Sequence, residues 1–366
     1  MPVMLEEPTP LPHPEEAPAD TTYDATYDTT ADTTAPNHPP IDAHGPRDDT
    51  PALVIGIDFG GTKTELALAD HRGALLARER LDTLAERGPE QTLARTAEAV
   101  RRLAREARER FGAPVAAHAA VAPGIVQADR ILLTPNLPGW EELALSARLA
   151  EVLGVPQVPV ANDVRAGALA ELRHGALRDA DPGLYVSLGT GIAAALTVGG
   201  TVLAGAHQAA GEIGYVNPGG APFDAVAAGH APLEELIGGK GLGERAEELL
   251  GRPVSATELL RSTDPAARDL ADHAVTVLGV TLANLCAFAD PARVVLGGGL
   301  MAAADVLLPA LERVLAAATP FPPELRPARF RRDASLHGAV TLALDGLRPR
   351  EERARPRPTA PLGAHR

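Results

Sequence analysis

The chain is poor in residue types that often mark a class of protein. Among its 366 residues there is one cysteine, Cys286, which excludes a disulfide framework. We therefore expect a reducing compartment, the cytoplasm. Aromatic residues make up only 3 % of the chain, so Ala, Val and Leu must fill its cores. Lys63 and Lys240 are the only lysines, an arginine bias that we attribute to composition rather than to function.

The sequence also has little that would direct it to a membrane. No basic region followed by an apolar run begins the chain, so we expect no signal peptide. The longest apolar stretch, residues 274–289, is interrupted by polar residues and flanked by Asp272 and Asp290. This pattern predicts a buried helix rather than a membrane span.

Charge is distributed unevenly along the chain, whose formal net charge is −14. Residues 1–50 contain 11 acidic residues and one basic residue, whereas residues 348–366 contain six Arg and two Glu. Both tails are rich in Pro and lack apolar periodicity, so we predict that both are disordered. The acidic body between them disfavours nonspecific binding to nucleic acid or to anionic membranes.

The body has two halves that open alike. Apolar runs at 52–57 and 64–68 predict two strands joined by a glycine turn, and 184–188 with 192–198 repeat this arrangement. Residues 89–111 have the periodicity of a long amphipathic helix. We therefore predict an α/β fold with two domains, residues 51–163 and 164–347, facing each other across a cleft.

The first glycine turn, within DFGGTK at 58–63, has the chemistry of a phosphate site. Glycine lets backbone N–H groups approach phosphate oxygens, and Thr62 adds a hydroxyl donor. Asp58 could hold Mg²⁺, directly or through water. An ordinary hairpin turn explains the glycines equally well. A second turn of the same kind, SLGTG at 187–191, makes coincidence less plausible, because the pair could hold a triphosphate from both sides.

Three further groups carry possible chemistry. Asn162 and Asp163 stand between a predicted strand and a helix, where Asp163 could take a proton from a sugar hydroxyl and Asn162 could bind its neighbour. Helix capping is the alternative for both. The segment GEIGY at 211–215, followed by Glu234, offers carboxylates for sugar hydroxyls or merely a solvated loop. The triple glycine at 297–299 allows close approach to adenine or ribose, or a close helix–strand crossing.

At these residues the sequence resembles the ROK family, which contains sugar kinases and sugar-responsive repressors of the actin-like ATPase superfamily. The resemblance extends over about residues 53–344 and rests on eight segments in the family's order. They are IGIDFGGTKTELAL (55–68), PGIV (123–126), TPNLPGW (134–140), ANDVRAGALAE (161–171), VSLGTGIAAAL (186–196), GEIGY (211–215), PLEELIGG (232–239) and VVLGGGL (294–300).

The resemblance implies two actin-like, ribonuclease H-like domains and a role for each conspicuous residue. Asp163 would be the catalytic base toward the sugar's 6-hydroxyl. Groups binding the sugar would be Gly124, Asn136, Asn162, Glu212, Tyr215 and Glu234. Groups near ATP would be Asp58, Gly60, Gly61, Thr62, Lys63, Gly189, Thr190 and Gly191 at the phosphates, with Gly297, Gly298 and Gly299 at adenosine. A homodimer is implied in the same way.

The chain departs from the family at its structural zinc site. The family's His at the end of GEIGH is Tyr215 here, and its three Cys positions are Ala225, Ala227 and Pro232. A lone His230 in this loop cannot form a tetrahedral nitrogen and sulfur site. We therefore predict no zinc. Because the family's His also binds the sugar, its replacement by Tyr215 leaves the identity of the sugar open.

The sequence thus predicts phosphorylation of a hexose at its 6-hydroxyl by ATP and Mg²⁺, with glucose as the first candidate. Two alternatives remain. A sugar-sensing regulator of the same family would need a DNA-binding domain, for which the acidic residues 1–50 show no helical periodicity. A sugar-binding protein without kinase activity would fit the altered zinc loop, but not the retained Asp163.

Overall fold

Two five-stranded sheets built on one plan form the framework of the protein. The computed structural model describes residues 52–134 and 136–347, so the two predicted tails lie outside the described residues. The strands are β1 (Leu53–Phe59), β2 (Lys63–Ala69), β3 (Leu75–Asp82), β4 (Val115–Ala122), β5 (Ile125–Val126), β6 (Ile131–Leu132), β7 (Val160–Asn162), β8 (Gly183–Leu188), β9 (Ile192–Val198), β10 (Thr201–Val202), β11 (Arg293–Gly297) and β12 (Glu324–Pro327).

The helices cover both sheets and fill the space between them. They are α1 (Pro89–Phe111), α2 (Leu145–Leu153), α3 (Asp163–His174), α4 (Pro232–Ile237), α5 (Gly239–Leu250), α6 (Ala256–Leu259), α7 (Pro265–Ala289), α8 (Ala304–Ala318) and α9 (Ala334–Leu347). Short 3-10 helices occur at Ala85–Arg87, Ile213–Tyr215 and Gly299–Ala303.

The two sheets have the same strand order and directions. The first runs β3-β2-β1-β4-β7 and the second β10-β9-β8-β11-β12. In each, the first three strands are antiparallel and the last three are parallel. The repetition predicted from the two glycine turns is therefore confirmed.

Parallel strands bring the predicted functional residues to one edge of each sheet. At the carboxyl ends of the first sheet lie Asp58 on β1 and Asn162 on β7, with β4 between them. At the corresponding edge of the second sheet, β8 ends before Gly189 and β11 ends at Gly297. In open α/β sheets this edge is where ligands bind.

The alternation of side chains along β1 assigns them to two different layers. Leu53, Ile55, Ile57 and Phe59 belong to the core that contains residues of α1 and α2. The intervening residues face α9, since Val54 packs with Val340 and a Cβ at Gly56 would lie 2.7 Å from the Val340 nitrogen. Asp58 continues this second row, so its carboxylate points toward the start of α9.

Helices α3 and α9 pack against each other, and each also covers a sheet. Apolar residues of α9 pack with β1, β2 and β4, whereas Ala168 and Leu172 of α3 pack with Tyr185 and other residues of the second sheet. Their crossing is close because its contact residues are small. A Cβ at Gly338 would lie 2.3 Å from the Ala166 carbonyl.

The other face of the second sheet is covered by helices α4 to α8. The apolar segment predicted to be a buried helix lies in α7, and its inner face, including Leu278, Leu282 and Cys286, belongs to this core. Length and hydropathy alone would let α7 cross a membrane, the only helix of the described residues that meets this test. Its packing in the core accounts for that hydropathy.

The strands predicted around both glycine turns and the helix predicted over 89–111 lie within a few residues of β1, β2, β8, β9 and α1. The strand predicted before Asp163 is β7, and Gly238 separates α4 from α5. Strands β5, β6 and β12 and helices α6 and α9 were not predicted. Because α9 packs on the first sheet, we propose that it belongs to the N-terminal domain, while the division at residue 163 stays a prediction.

The α3–α9 crossing yields a prediction about stability. Gly338→Ala places a methyl group 2.3 Å from the Ala166 backbone, so the helices must separate. We expect the free energy of unfolding to fall by about 1–3 kcal/mol, as measured by urea denaturation. Gly346→Ala, near the end of the same helix, is the control, because its Cβ would meet no heavy atom of the described residues within 4 Å. An equal effect of both substitutions would contradict the assigned crossing.

Candidate active site

Asn162 anchors the junction between β7 and α3. Its Oδ1 accepts a hydrogen bond from the Arg165 N–H at 3.0 Å, and its Nδ2 donates to the Gly124 carbonyl at 2.9 Å. Because its side chain accepts this bond from the first turn of α3, Asn162 is the helix cap that the sequence analysis gave as an alternative. Asn162 is also buried, with 5 % exposure. One Nδ2 hydrogen remains for a ligand.

Asp163 is the first residue of α3, and its surroundings favour the protonated form. The Val164 N–H donates to Oδ1 at 2.8 Å, which stabilises the carboxylate. Burial outweighs this bond, and the negative charges of Asp58 and Glu212 add to burial, so the pKa of Asp163 rises to about 7. A carboxylate with this pKa can accept a proton near neutral pH.

Asp58 lies at the end of β1 and is held by a residue distant in sequence. The Ser335 hydroxyl, on α9, donates to Asp58 Oδ2 at 2.6 Å. Burial raises the pKa of Asp58 to about 6, the Ser335 hydrogen bond opposes that rise, and the charge of Glu65 adds to it. The carboxyl groups of Asp58 and Asp163 interact, as the raised pKa of Asp163 indicates.

The first glycine turn is held in place by Thr83. The Thr83 N–H donates to the Thr62 carbonyl at 2.9 Å, and its hydroxyl donates to the Gly60 carbonyl at 2.6 Å. Within the turn, the Gly60 N–H bonds to the Lys63 carbonyl at 2.9 Å, so it is already occupied. The Lys63 ammonium pairs with Glu65 rather than reaching over the turn.

Asn136 brings a second loop against this turn. A Cβ at Gly61 would lie 2.7 Å from the Asn136 Cβ, so only glycine permits the approach. The loop is anchored by Trp140, whose ring meets Phe59 edge to face at a centroid distance of 5.2 Å. The loop predicted to bind the sugar therefore contacts the turn predicted to bind phosphate.

The second glycine turn is supported from two directions. The N–H groups of Gly239 and Lys240, at the start of α5, donate to the carbonyls of Gly189 and Thr190 at 2.9 Å each. This contact explains the break at Gly238. From the other side, Glu234 Oε2 accepts a hydrogen bond from the Ile192 N–H at 3.0 Å.

The three glycines after β11 serve different purposes. A Cβ at Gly297 would lie 2.4 Å from the Tyr185 hydroxyl, and one at Gly298, where φ is +89°, would lie 2.4 Å from the Leu188 carbonyl. These two positions are therefore required by close packing, the alternative considered from the sequence. A Cβ at Gly299 would meet no heavy atom of the described residues within 4 Å, so packing does not require glycine there.

The sugar end of the candidate site is acidic. Burial raises the pKa of Glu212. The positive charge of Arg165 acts to lower this pKa, and the negative charge of Glu234 adds to the rise. The pKa of Tyr215 is raised by burial and by the charges of Glu212 and Glu234. Arg165 thus stands among carboxylates, and its guanidinium also donates to the Ala204 carbonyl at 3.1 Å.

The loop that would hold zinc in the family contains the substitutes read from the sequence. Ala225 is buried and Pro232 begins α4. The His230 imidazole lies 3.1 Å from Glu235 Oε1. Over the described ranges, no group of three or more His, Cys, Asp or Glu side chains is arranged to hold a metal. The absence of zinc stays a prediction.

Three residues of this site were not found from the sequence. Thr83 holds the first turn in place. Arg165 partly offsets the negative charge of Glu212, and Ser335 donates a hydrogen bond to Asp58. Ser335 is 277 residues from Asp58 along the chain, so no local pattern could connect them. Arg165 follows Asn162 closely, but an arginine near a helix start reads as solvated until its burial, with 8 % exposure, is seen.

Two repeated α/β sheets with glycine turns at their ligand-binding edges define a protein of the actin-like class. The predicted fold class is confirmed by solved structures. A ROK hexokinase from Thermus thermophilus is 34 % identical, with a TM-score of 0.67, covering 80 % of this chain and 97 % of that one. A ROK glucokinase from Streptomyces griseus, in complex with glucose and AMPPNP, is 25 % identical, with a TM-score of 0.64, covering 80 % and 99 %.

The chain belongs to the ROK family, whose model matches residues 54–346. Among curated proteins it is similar to kanosamine kinase from Amycolatopsis mediterranei, with 32 % identity over 298 residues. The match covers 79 % of this chain and 95 % of that relative. The family predicted from eight short segments is therefore confirmed.

The hydrogen bond between Ser335 and Asp58 can be tested by titration. Ser335→Ala removes the interaction that stabilises the Asp58 carboxylate, so we expect the pKa of Asp58 to rise above about 6. A carbon-detected NMR titration of the side-chain carboxyl groups measures it. Ser335→Thr retains the hydroxyl and should retain the lower pKa. The same pKa in wild-type protein and the Ala variant would mean that the hydroxyl does not act on Asp58.

Proposed function

We propose that the protein transfers the γ-phosphoryl group of ATP to the 6-hydroxyl of a hexose. The observation that carries this proposal is the placement of Asp163. It is a carboxylate with a pKa of about 7 at the start of α3, on the sheet edge where β1 and β7 end. The relatives named as a kanosamine kinase, a hexokinase and a glucokinase support a sugar as the acceptor.

The proposed reaction needs one base and no covalent intermediate on the protein. Asp163 accepts the proton of the sugar hydroxyl, the hydroxyl oxygen bonds to the γ-phosphorus, and the bond from that phosphorus to the β–γ bridging oxygen breaks. ADP leaves with the electron pair. Positioning and charge stabilisation then account for most of the rate. Oδ1 of Asp163 is occupied by the Val164 N–H, which leaves Oδ2 for the proton.

The two glycine turns are proposed to hold the phosphates of ATP. In the first turn the N–H groups of Gly61 and Thr62 and the Thr62 hydroxyl have no partner among the described residues, unlike the Gly60 N–H. Thr190, in the second turn, offers the corresponding hydroxyl, and Gly299 is proposed to lie against adenosine. The complex of the glucokinase relative with AMPPNP supports ATP as the donor.

Mg²⁺ is proposed to bind beside Asp58. This ion usually takes one or two protein carboxylates together with substrate phosphates and water, so one carboxylate at the turn suffices. Oδ2 of Asp58 is bound by Ser335, and Oδ1 has no hydrogen-bond partner in the described chain, which fits a cation ligand. When bound, the ion neutralises charge on the phosphates.

The proposed sugar subsite consists of polar groups that have no hydrogen-bond partner among the described residues. Asn162 retains one N–H, and Glu234 retains Oε1 because Ile192 occupies Oε2. The Glu212 carboxylate and the Tyr215 hydroxyl complete an acceptor-rich surface suited to sugar hydroxyl groups. Gly124 and Asn136 are proposed to bind through backbone or side-chain groups at its border. Glucose is the first candidate.

Asp163→Asn tests the base. The amide keeps the size of the side chain but cannot accept the proton, so we expect kcat to fall by roughly 10²–10⁴-fold while glucose binding, measured by calorimetry, is retained. An ADP-release assay over a panel of hexoses and amino sugars gives kcat. The control is Asp179→Asn, which changes an exposed acid outside the candidate site.

Turnover by the Asn variant at the wild-type rate would exclude Asp163 as the base. No turnover of any sugar by wild-type protein would instead favour the two alternatives, a regulator or a sugar-binding protein without kinase activity.

The pH dependence of the reaction follows from the pKa of Asp163. Below about pH 7 its carboxyl is protonated and cannot act as a base, so kcat/KM should rise through that pH and then level. Glu212→Gln removes a negative charge that raises this pKa, so the rise should move to lower pH. A steady-state profile from pH 5 to 9 measures both. Profiles that coincide would show that Asp163 does not control the rate.

A homodimer remains part of the proposal on the ground of the family resemblance, and a cytoplasmic location on the ground of the single cysteine. Sedimentation or light scattering of the purified chain would decide the oligomeric state.

A further inference from the structure

A basic pocket lies away from the candidate active site. It has a volume of about 480 Å³ and is lined by Arg72, Gly73, Ala74, Leu75, Arg173, His174, Arg178, Arg329, Phe330, His337 and Thr341. Four of these residues are Arg and two are His, and none of these described lining residues is Asp or Glu. Its volume is within the usual range for sites that bind small molecules.

The pocket is separate from the sheet edge that carries the proposed reaction. Arg173 and His174 end α3, whereas Asp163 begins it. His174 lies eleven positions after Asp163 along the helix, a distance of roughly 16 Å. The remaining walls come from the β2–β3 connection, the segment before α9 and α9 itself.

Three of the four guanidinium groups have no carboxylate partner in the described chain. Arg178 has neither a hydrogen bond nor an ion pair there. Arg329 donates to the backbone carbonyl of His174 at 2.5 Å, and Arg72 donates to a His71 ring nitrogen at 3.3 Å. Arg173 alone is neutralised, by Asp345 at 3.1 Å. Excess positive charge is therefore concentrated in a concave site.

Part of the pocket wall is fixed before any ligand arrives. The Phe330 ring stacks on His337 with centroids 4.3 Å apart, and the Phe330 N–H donates to Glu171 Oε1 at 2.8 Å. The Arg329 guanidinium lies 5.6 Å from the centre of the Phe330 ring. The Arg329 side chain is thus held by its hydrogen bond to the His174 carbonyl and by its contact with the Phe330 ring. Binding a ligand therefore costs less side-chain conformational entropy.

We propose that this pocket binds a small molecule bearing a phosphate group, at a site distinct from the cleft. Guanidinium groups bind phosphate oxygens in pairs of parallel hydrogen bonds, and Arg72, Arg178 and Arg329 supply the donors. A nucleic acid is disfavoured as the ligand, because the protein's net charge is −14 and the positive groups line a cavity rather than an extended surface.

Calorimetry with inorganic pyrophosphate tests the proposal on the full-length protein. Wild type should bind at two sites, the cleft and the pocket. The double variant Arg178→Ala, Arg329→Ala should keep the cleft site and bind about 10- to 100-fold more weakly at the other. The matched control is Arg101→Ala with Arg105→Ala, two exposed arginines of α1, and should bind like wild type.

The comparison is decisive in both directions. Unchanged stoichiometry and affinity in the pocket variant would overturn the proposal, as would an equal loss in the α1 variant, which would indicate a general charge effect. Circular dichroism and the ADP-release rate establish that each variant is folded.

A second measurement needs no variant. Phenylglyoxal modifies accessible arginines, and mass spectrometry locates them. Pyrophosphate should slow modification of Arg178 and Arg329 by about tenfold but leave Arg101 unaffected. Glucose 6-phosphate is the second arm: protection by both compounds means that phosphate esters are accepted, and protection by pyrophosphate alone means that the ligand is inorganic. Absence of protection by either would refute the site.

Discussion

The close crossing of α3 and α9 is the contact on which the rest of the structure depends. Each helix covers a different sheet, so the distance between the helices sets the distance between the sheets. Small residues at the crossing, Gly338 and Ala166 among them, allow the backbones to approach without intervening side chains. The first residue of α3 is Asp163 and the second residue of α9 is Ser335, which binds Asp58. One packing contact therefore also fixes two carboxylates.

The electrostatics of the site follow from bringing acids together with little to neutralise them. The charges of Asp58 and Glu212 raise the pKa of Asp163, the charge of Glu234 raises the pKa of Glu212, and Arg165 is a cation that acts on both Glu212 and Asp163. Desolvation makes each charge more costly than in water. Such a cluster favours ligands that bring protons or positive charge, such as sugar hydroxyl groups and Mg²⁺. The same cluster would repel phosphates, so the proposed phosphate site depends on the backbone N–H groups of the glycine turns rather than on the carboxylates.

Sequence reasoning recovered the features that depend on local patterns. The amphipathic helix at 89–111, the paired strands around each glycine turn and the cap at Asn162 follow from periodicity and from local backbone chemistry, and the structure has them. Features that depend on contacts between distant segments were missed. They are the packing of α9 on the first sheet, the hydrogen bonds from Thr83 to the first glycine turn, and the hydrogen bond from Ser335 to Asp58. The glycines at 297 and 298 illustrate the limit, because packing and ligand approach predict the same residue. Only the close contacts with Tyr185 and Leu188, seen in the structure, show that packing requires glycine at these two positions.

The hydrogen bond from the Ile192 N–H to Glu234 has a consequence for how this protein could change its substrate over evolution. Glu234 belongs at once to the acidic surface near Tyr215 and to the support of the second glycine turn. A substitution there would disturb both ends of the site together, so drift at this position is constrained. Among the described residues, the Tyr215 side chain makes no hydrogen bond to that turn, and Tyr215 is one of the four positions where the sequence departs from the pattern of the family it resembles. In the proposed sugar subsite, Tyr215 is therefore the position where a substitution can change ligand contacts while Glu234 continues to support the second glycine turn.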